Sequence, residues 1–422
     1  MDPFVLGIIG AGSSYTPELI ERLVAMRATL PVSELILMDI DPERLEIMAG
    51  FCRRFLRHLG CDLSVRTTTD RREAIAPSQF IIVQIRVGGN AQRILDEKLP
   101  LKYGIIGQET TGPGGMFKAL RTIPAILEIA RDVERLNPAA WIINYANPTG
   151  LNAEAVLKYT RANFVGLCSG GFFPRWWVSA ALGVPPEAVD YRYFGLNHLN
   201  FAYELTVHGR PLTEAEFDRV AEHATWGSVA PELMRTLRLL PSPYLQYFYH
   251  RARCVQQARA KSHTRGEEVR EIERELFAAY ADPHQVTKPA ALAKRGGGGY
   301  SEIALGVMEA LHNNTGRVLI VGTANRGAVD RLPADAVIET PCVVNAAGIF
   351  PLRQPTIPEA VWGLVAAVKN YEQLVVEAAV TGSRRRALEA LLAHPLVMDY
   401  DMAVPLLEEM LEANRAFLPQ FF

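Results

Sequence analysis

Short apolar runs alternate along the first part of the chain with stretches whose apolar side chains recur every three or four positions. Val5–Gly10 is such a run, and Pro17–Arg27 then places Leu19, Ile20, Leu23 and Val24 on one helical face. Leu35–Met38 is a second run, followed by a helical pattern over Pro42–Leu59. Phe80–Gln84, Trp141–Asn144 and Phe164–Leu167 repeat the short apolar signature, with helical segments between several of them. Apolar strands alternating with helices predict a doubly wound parallel α/β sheet.

The pattern changes after about Cys168. Tyr191–Phe194 and Asn200–Val207 read as strands flanking a Gly-Leu-Asn-His turn. Tyr244–Lys261 and Gly266–Ala281 read as helices, and Gly296–Gly299 is a glycine run opening another. Val318–Gly322 and Ala336–Val344 read as strands, and the chain is mostly helical from Ile357 onward. The expected organisation is a unit over residues 1–165 and a mixed α+β unit over 166–422. There is no internal repeat.

Composition narrows the function. The 422 residues carry 44 basic and 46 acidic side chains, a net charge of −2, which disfavours a nucleic-acid partner. Hydrophobic residues make up 49%, enough for a large core. No apolar run reaches the roughly 18 residues of a membrane span. The segment from Met1 to Gly7 lacks a positive leader region, so no secretory signal is expected. Cys52, Cys61, Cys168, Cys254 and Cys342 are odd in number and scattered, which fits a reducing cytoplasm better than a disulfide framework.

Three features carry candidate chemistry. Gly10-Ala11-Gly12-Ser13-Ser14 joins a strand to a helix, where glycines let the backbone and helix amides approach a pyrophosphate. Asp39 ends the second strand, the usual place for an acidic partner of the ribose hydroxyls. Tyr15 takes the place of the fingerprint's third glycine. This is a Rossmann-like signature, with a glycine turn binding something else as the alternative. Cys168, at the end of an apolar strand, and His198 together form half a site for a borderline-soft divalent ion. Their spacing alone fits a buried thiol and a core histidine better. Asn147-Pro148 lies just past a strand end, and the polar, glycine-rich stretch from Gly107 to Gly115 suits a lid or binding segment.

Taken together these motifs resemble glycoside hydrolase family 4, the NAD-dependent exception to two-carboxylate glycosidases. The resemblance spans nearly the whole chain. It rests on Gly10 to Glu18 (GAGSSYTPE), Leu99 to Gly112 (LPLKYGIIGQETTG), Asn147-Pro148, Gly166-Leu167-Cys168, Gly195 to Leu199 (GLNHL), Lys294 to Gly297 and Tyr300-Ser301. It implies a Rossmann-like domain joined to a C-terminal domain of lactate/malate dehydrogenase type. It implies NAD and a divalent metal, usually Mn²⁺, as cofactors. The implied reaction removes hydride from sugar carbon 3 and a proton from carbon 2, eliminates the glycosidic oxygen, adds water and returns the hydride.

By resemblance, Gly10, Gly12, Ser13, Ser14 and Asp39 hold the dinucleotide, and Cys168 and His198 ligate the metal. Tyr244 matches the base of β-type members and Glu109 the residue that raises its basicity, with Tyr300 a competing base. Arg93, Asn147 and Arg265 match substrate contacts, and the Arg265 guanidinium suits a 6-phosphate. The α-type members carry an aspartate after the metal cysteine as leaving-group acid. Here Ser169 stands there, which leans toward a β-linked 6-phosphoglucoside. The α-type phosphoglucosidases, α-galactosidases and α-glucuronidases of the family remain alternatives. A 2-hydroxyacid dehydrogenase and a non-catalytic sugar-phosphate or dinucleotide sensor are further ones. A homodimer or homotetramer is expected.

Overall fold

The computed structural model describes residues 2–224 and 229–422. Among the described residues thirteen strands form one sheet: β1 Phe4–Ile9, β2 Val32–Met38, β3 Ser64–Thr68, β4 Phe80–Val83, β5 Trp141–Asn144, β6 Asn163–Gly166, β7 Val189–Leu196, β8 Leu199–Val207, β9 Arg210–Pro211, β10 Leu240–Pro241, β11 Arg317–Ala324, β12 Val337–Asn345 and β13 Gly348–Pro351. The first six run parallel in the order β3-β2-β1-β4-β5-β6. That is the Rossmann order, with its switch point between β1 and β4, where a crevice opens beyond the strand ends.

Local sequence explains these elements. Helices cover both faces of the parallel strands, so all four residues of β4 are buried. The helix Pro42–His58 starts at Asp41, whose carboxylate accepts the Glu43 and Arg44 amides, with Pro42 in the first turn. The edge strand β3 reads Ser-Val-Arg-Thr-Thr and has no fully buried residue. Lacking an apolar run, it left no sequence signal.

The sheet does not stop where the chain leaves the parallel unit. The antiparallel strands β11, β12, β7 and β8 extend it from β6. Residue 165, the expected boundary, lies inside β6. One hydrophobic core joins Ile81, Phe117 and Ile142 to Phe194, Ile338 and Val365. A second joins Leu6 and Leu37 to Leu305, Val321 and Cys342. Only a smaller cluster, including Val178, Tyr193, Phe217 and Met234, lies apart from both.

The stretch Tyr244–Lys261 is not the single helix its periodicity predicts. A 3₁₀ turn at Pro243–Leu245 leads into Gln246–Tyr249 and then Arg251–Ala260, with the break at His250 (φ −124°, ψ 36°). The tail forms helices Glu359–Thr381, Arg384–Ala393 and Tyr400–Ala413. Among the described residues, no helix is long and apolar enough to cross a membrane.

Candidate active site

The crevice at the switch point is a cavity of about 650 Å³. Gly10, Gly12, Ser13, Asp39 and Asn147 all line it. Gly10 turns the chain at φ +85°, and its amide and that of Ala11 both donate to the Met38 carbonyl at 2.9 Å. The Gly12 amide donates to Asp39 Oδ2 at 2.8 Å. A Cβ at Gly12 would stand only 2.8 Å from that oxygen, so the close approach requires glycine. The second Asp39 oxygen accepts the Asp41 amide.

The cavity wall carries buried polar atoms with no partner among the described residues, including Gln84 Oε1, Tyr145 Oη and Asn147 Oδ1. Unpaired polar groups are costly inside a protein, so these atoms are matched to a polar ligand. With the glycine loop and Asp39, they fit a dinucleotide. Ser14 is placed differently from the expectation. It is fully buried, donates to Glu273 Oε1 at 2.9 Å, accepts from Arg295 Nε, and does not line the cavity. Its hydroxyl is used in bracing Glu273 and Arg295, which do line it.

Cys168 and His198 are both neighbours of Tyr244, which stacks on His198 and feels the Cys168 sulfur, and the sulfur also acts on Tyr300, which lines the cavity. Cys168 follows β6, and His198 sits at the tip of the β7–β8 turn with φ +63°. The Gly170 amide points at Cys168 Sγ from 3.4 Å. Burial, then the Glu339 carboxyl, pushes the thiol's pKa well up. A cation at the sulfur would reverse that preference.

The His198 tautomer follows from its hydrogen bonds. Gln108 Oε1 accepts the Thr110 amide at 2.6 Å, which fixes it as the oxygen. It also accepts the Thr110 hydroxyl at 2.8 Å. That hydroxyl, 2.7 Å from His198 Nδ1, therefore accepts the Nδ1 proton. Nε2 is left with a free lone pair, the form a metal ligand needs. Burial holds the imidazole pKa down at about 3, so the ring is neutral. One thiol and one imidazole fit a borderline-soft divalent cation. Among the described residues no third His, Cys, Asp or Glu joins them, which leaves coordination positions for substrate oxygens.

Tyr244 lies flat on His198, with centroids 3.7 Å apart and planes 4° from parallel. Burial, then Cys168, Tyr247 and Glu109, raises its pKa, while Arg93 opposes them. Glu109 is enclosed by cations. Arg86 Nη1 and Lys118 Nζ reach Oε2 at 2.6 and 2.8 Å, and Arg93 Nη1 stands 3.5 Å from Oε1. Burial alone would raise the Glu109 pKa, but Lys118, Arg86 and Arg93 hold it well below the usual carboxylate range. Tyr300 lines the cavity with Asn147 and lies edge-on to Tyr145.

The structure thus gathers the expected Cys168, His198, Tyr244, Glu109, Arg93 and Asn147. Arg265 is not with them. It is half-exposed, pairs with Glu268, donates to the Lys294 and Arg295 carbonyls, and does not line the cavity. The family resemblance and its place at a helix start suggested a 6-phosphate contact, whereas here the fork donates to backbone oxygens. Arg86, Thr110, Lys118, Tyr145 and Arg295 were missed as individual residues. The glycine-rich loop and the Lys294-Arg295-Gly296-Gly297 motif were signals for Thr110 and Arg295.

Comparison with known proteins relates the chain to one family over both of its halves. The profile of family 4 glycosyl hydrolases matches residues 5–176, and that of the family's C-terminal domain matches residues 193–397. A probable 6-phospho-β-glucosidase of Bacillus subtilis (strain 168) is 39% identical over 98% of this chain and 97% of its own. The 6-phospho-β-glucosidase of Thermotoga maritima, solved with NAD and glucose-6-phosphate, superposes with a TM-score of 0.91 at 35% identity, covering 99% of both chains. A second structure of that enzyme also holds manganese. A malate dehydrogenase from Plasmodium falciparum, 12% identical with a TM-score of 0.56 over 89% of this chain and 99% of its own, shares the fold alone. The matches run through both halves of the sheet and through the residues of the site, and on that ground the chain belongs to glycosyl hydrolase family 4.

Proposed function

We propose that this protein hydrolyses a β-linked glucoside 6-phosphate with NAD and a divalent metal, Mn²⁺ in the first instance. The observation that carries the reading is that Cys168 and His198 both neighbour Tyr244, close to Tyr300 in the wall of the Gly10–Asp39 cavity. The two relatives named above are a probable 6-phospho-β-glucosidase and a 6-phospho-β-glucosidase, which supports the same substrate class.

Gly10, Gly12, Ser13 and Asp39 would hold the dinucleotide, and Cys168 Sγ with His198 Nε2 would hold the cation. When bound, these groups supply reversible hydride removal and Lewis acidity at the sugar. Tyr244 takes the proton from carbon 2, since its ring is fixed against the metal ligand His198. Glu109, kept anionic, raises the affinity of the Tyr244 oxygen for that proton. Arg93 offsets the negative charge around Tyr244, and Asn147 bonds a sugar hydroxyl. Arg295 and Lys118 give the cavity its cationic lining for a phosphate. Arg265 acts indirectly, by bracing the 294–295 backbone. Ser169 is too weak an acid to protonate the leaving oxygen, which fits a β-linked substrate with water in that role. In this division of labour residues 1–165 hold the dinucleotide and residues 166–422 supply the metal ligands and Tyr244.

The finer cellular setting belongs to the same proposal. All five cysteines are free, in keeping with a reducing cytoplasm. Val318, Val343 and Phe350 lie side by side across β11, β12 and β13, with Val318 and Phe350 exposed. That apolar row suits an interface of a homodimer or homotetramer.

The test is hydrolysis of p-nitrophenyl β-glucoside 6-phosphate with NAD⁺ and Mn²⁺ under reducing conditions. Nitrophenol release that needs both additions, without net NADH, is expected. Release from the unphosphorylated glycoside at the same rate would remove the phosphate requirement. Activity only on α-linked substrates would overturn the linkage, and net NADH would return the dehydrogenase reading.

A further inference from the structure

Behind the thiol–imidazole pair lies a carboxyl group that the reaction does not use. Glu339 stands in β12, 3% exposed, in the sequence Val337-Ile338-Glu339-Thr340. An acidic residue inside a buried strand demands partners for both oxygens. Both are supplied by one turn. Asn197 Nδ2 donates to Oε1 at 2.8 Å, and Asn200 Nδ2 donates to Oε2 at 2.7 Å. These two asparagines bracket His198.

The backbone is shaped to bring them there. Glu339 pairs across the sheet with Gly195. Gly195 has φ +148°, and a Cβ on it would stand 2.3 Å from the Leu199 carbonyl and 2.5 Å from Asn200 Cα. Only glycine lets the turn close against β12. Asn197 is also backed by Gly150, where a Cβ would come within 2.9 Å of Asn197 Cβ. Asn200 closes the turn by donating to the Leu196 carbonyl at 3.3 Å.

We propose that Glu339 is a positioning residue for the cation held by Cys168 and His198. Its two oxygens lock the Asn197 and Asn200 amides on either side of His198. Thr110 fixes the His198 ring from the opposite side, so turn and ring are held independently. Outer partners of this kind set the direction of a ligand's lone pair and so its affinity for metal. This inference rests on the proposed metal site, and its test separates the two.

Mn²⁺ is titrated into the full-length enzyme with NAD⁺ and glucose 6-phosphate under reducing conditions, and free Mn²⁺ is read by electron paramagnetic resonance. NAD⁺ affinity is measured separately by calorimetry without metal. The variants are Glu339→Gln, Asn200→Ala and Cys168→Ser. Glutamine keeps the size of Glu339 but turns one acceptor into a donor facing an asparagine Nδ2. Glu339→Gln is expected to weaken Mn²⁺ binding about 10- to 100-fold while NAD⁺ affinity stays within about twofold. If wild type and Cys168→Ser bind Mn²⁺ alike, the metal site itself is wrong. If Cys168→Ser loses Mn²⁺ but Glu339→Gln keeps wild-type affinity, the positioning role is overturned. Equal loss of Mn²⁺ and NAD⁺ in Glu339→Gln would mark a structural residue and overturn it too. Should Glu339→Gln fail to fold, Asn200→Ala decides by the same readings, with a loss of at least about threefold expected.

Discussion

His394 offers a test of the packing that supports the active-site loop. The ring is 1% exposed, 4.5 Å centroid to centroid from Tyr371 and 5.7 Å from Phe248, and its Nδ1 accepts the Leu396 amide at 3.2 Å. It lies close to Gly112 at the end of the glycine-rich loop, whose carbonyl accepts from Tyr371 Oη. Burial alone lowers its pKa from 6.5 to about 3. Between those limits the unfolded chain binds a proton that the folded chain refuses. Stability is therefore full above pH 6.5 and falls as the pH drops toward 3. Each pH unit is worth about 1.4 kcal/mol, so at pH 5 the wild type has lost about 2 kcal/mol through this residue. His394→Asn keeps an acceptor for Leu396 and removes the titration. At pH 7.5 it destabilises through lost packing, by about 1–3 kcal/mol. At pH 5 that penalty shrinks by about 2 kcal/mol, because only the wild type has weakened there. His198, buried in both proteins, cancels in the comparison. Urea unfolding of both proteins at the two pH values measures the difference. A penalty that is the same at pH 5 as at pH 7.5 would refute the neutral, buried ring.

Three further predictions address the site directly. Cys168→Ser abolishes Mn²⁺-dependent turnover and leaves NAD⁺ binding intact by calorimetry; unchanged turnover would sink the metal assignment. Tyr244→Phe slows solvent exchange at carbon 2 by about 10²- to 10⁴-fold with little change in KM. If only Tyr300→Phe slows that exchange, the base is Tyr300. Gly12→Ala forces a Cβ to 2.8 Å from Asp39 Oδ2 and 3.1 Å from Arg44 Cβ. It should weaken NAD⁺ at least about tenfold, or about 1.4 kcal/mol, without affecting Mn²⁺; wild-type NAD⁺ affinity would show that the loop moves freely.

Sequence and structure part company in informative places. The interior strands β1, β4, β5 and β6 are buried on both faces and so appear as unbroken apolar runs. The edge strand β3 has one wet face and no such run. Periodicity over Tyr244–Lys261 carried helix but not the break at His250, because an interrupted helix keeps much of the same spacing. Glu339 was legible in principle, as an acid inside an apolar strand, yet nothing local names its partners. Arg265 marks the limit of a local reading, because a guanidinium at a helix start reads the same whether it meets an anion or backbone carbonyls.

The sequence by itself determined the parallel unit, the glycine loop with Asp39, and the family motifs carrying Cys168, His198, Tyr244 and Glu109. Each is a local pattern, since burial, turn geometry and motif order are written in consecutive residues. Only the tertiary structure decided that one sheet runs through both halves of the chain. Strand pairing such as β6 with β11 joins residues more than 150 positions apart and leaves no mark in either segment alone. Only the fold, likewise, set Arg86, Arg93 and Lys118 around Glu109 and aimed Thr110 at His198 Nδ1. Charge state and tautomer depend on which groups are brought within a few ångströms of each other, and that is a property of packing.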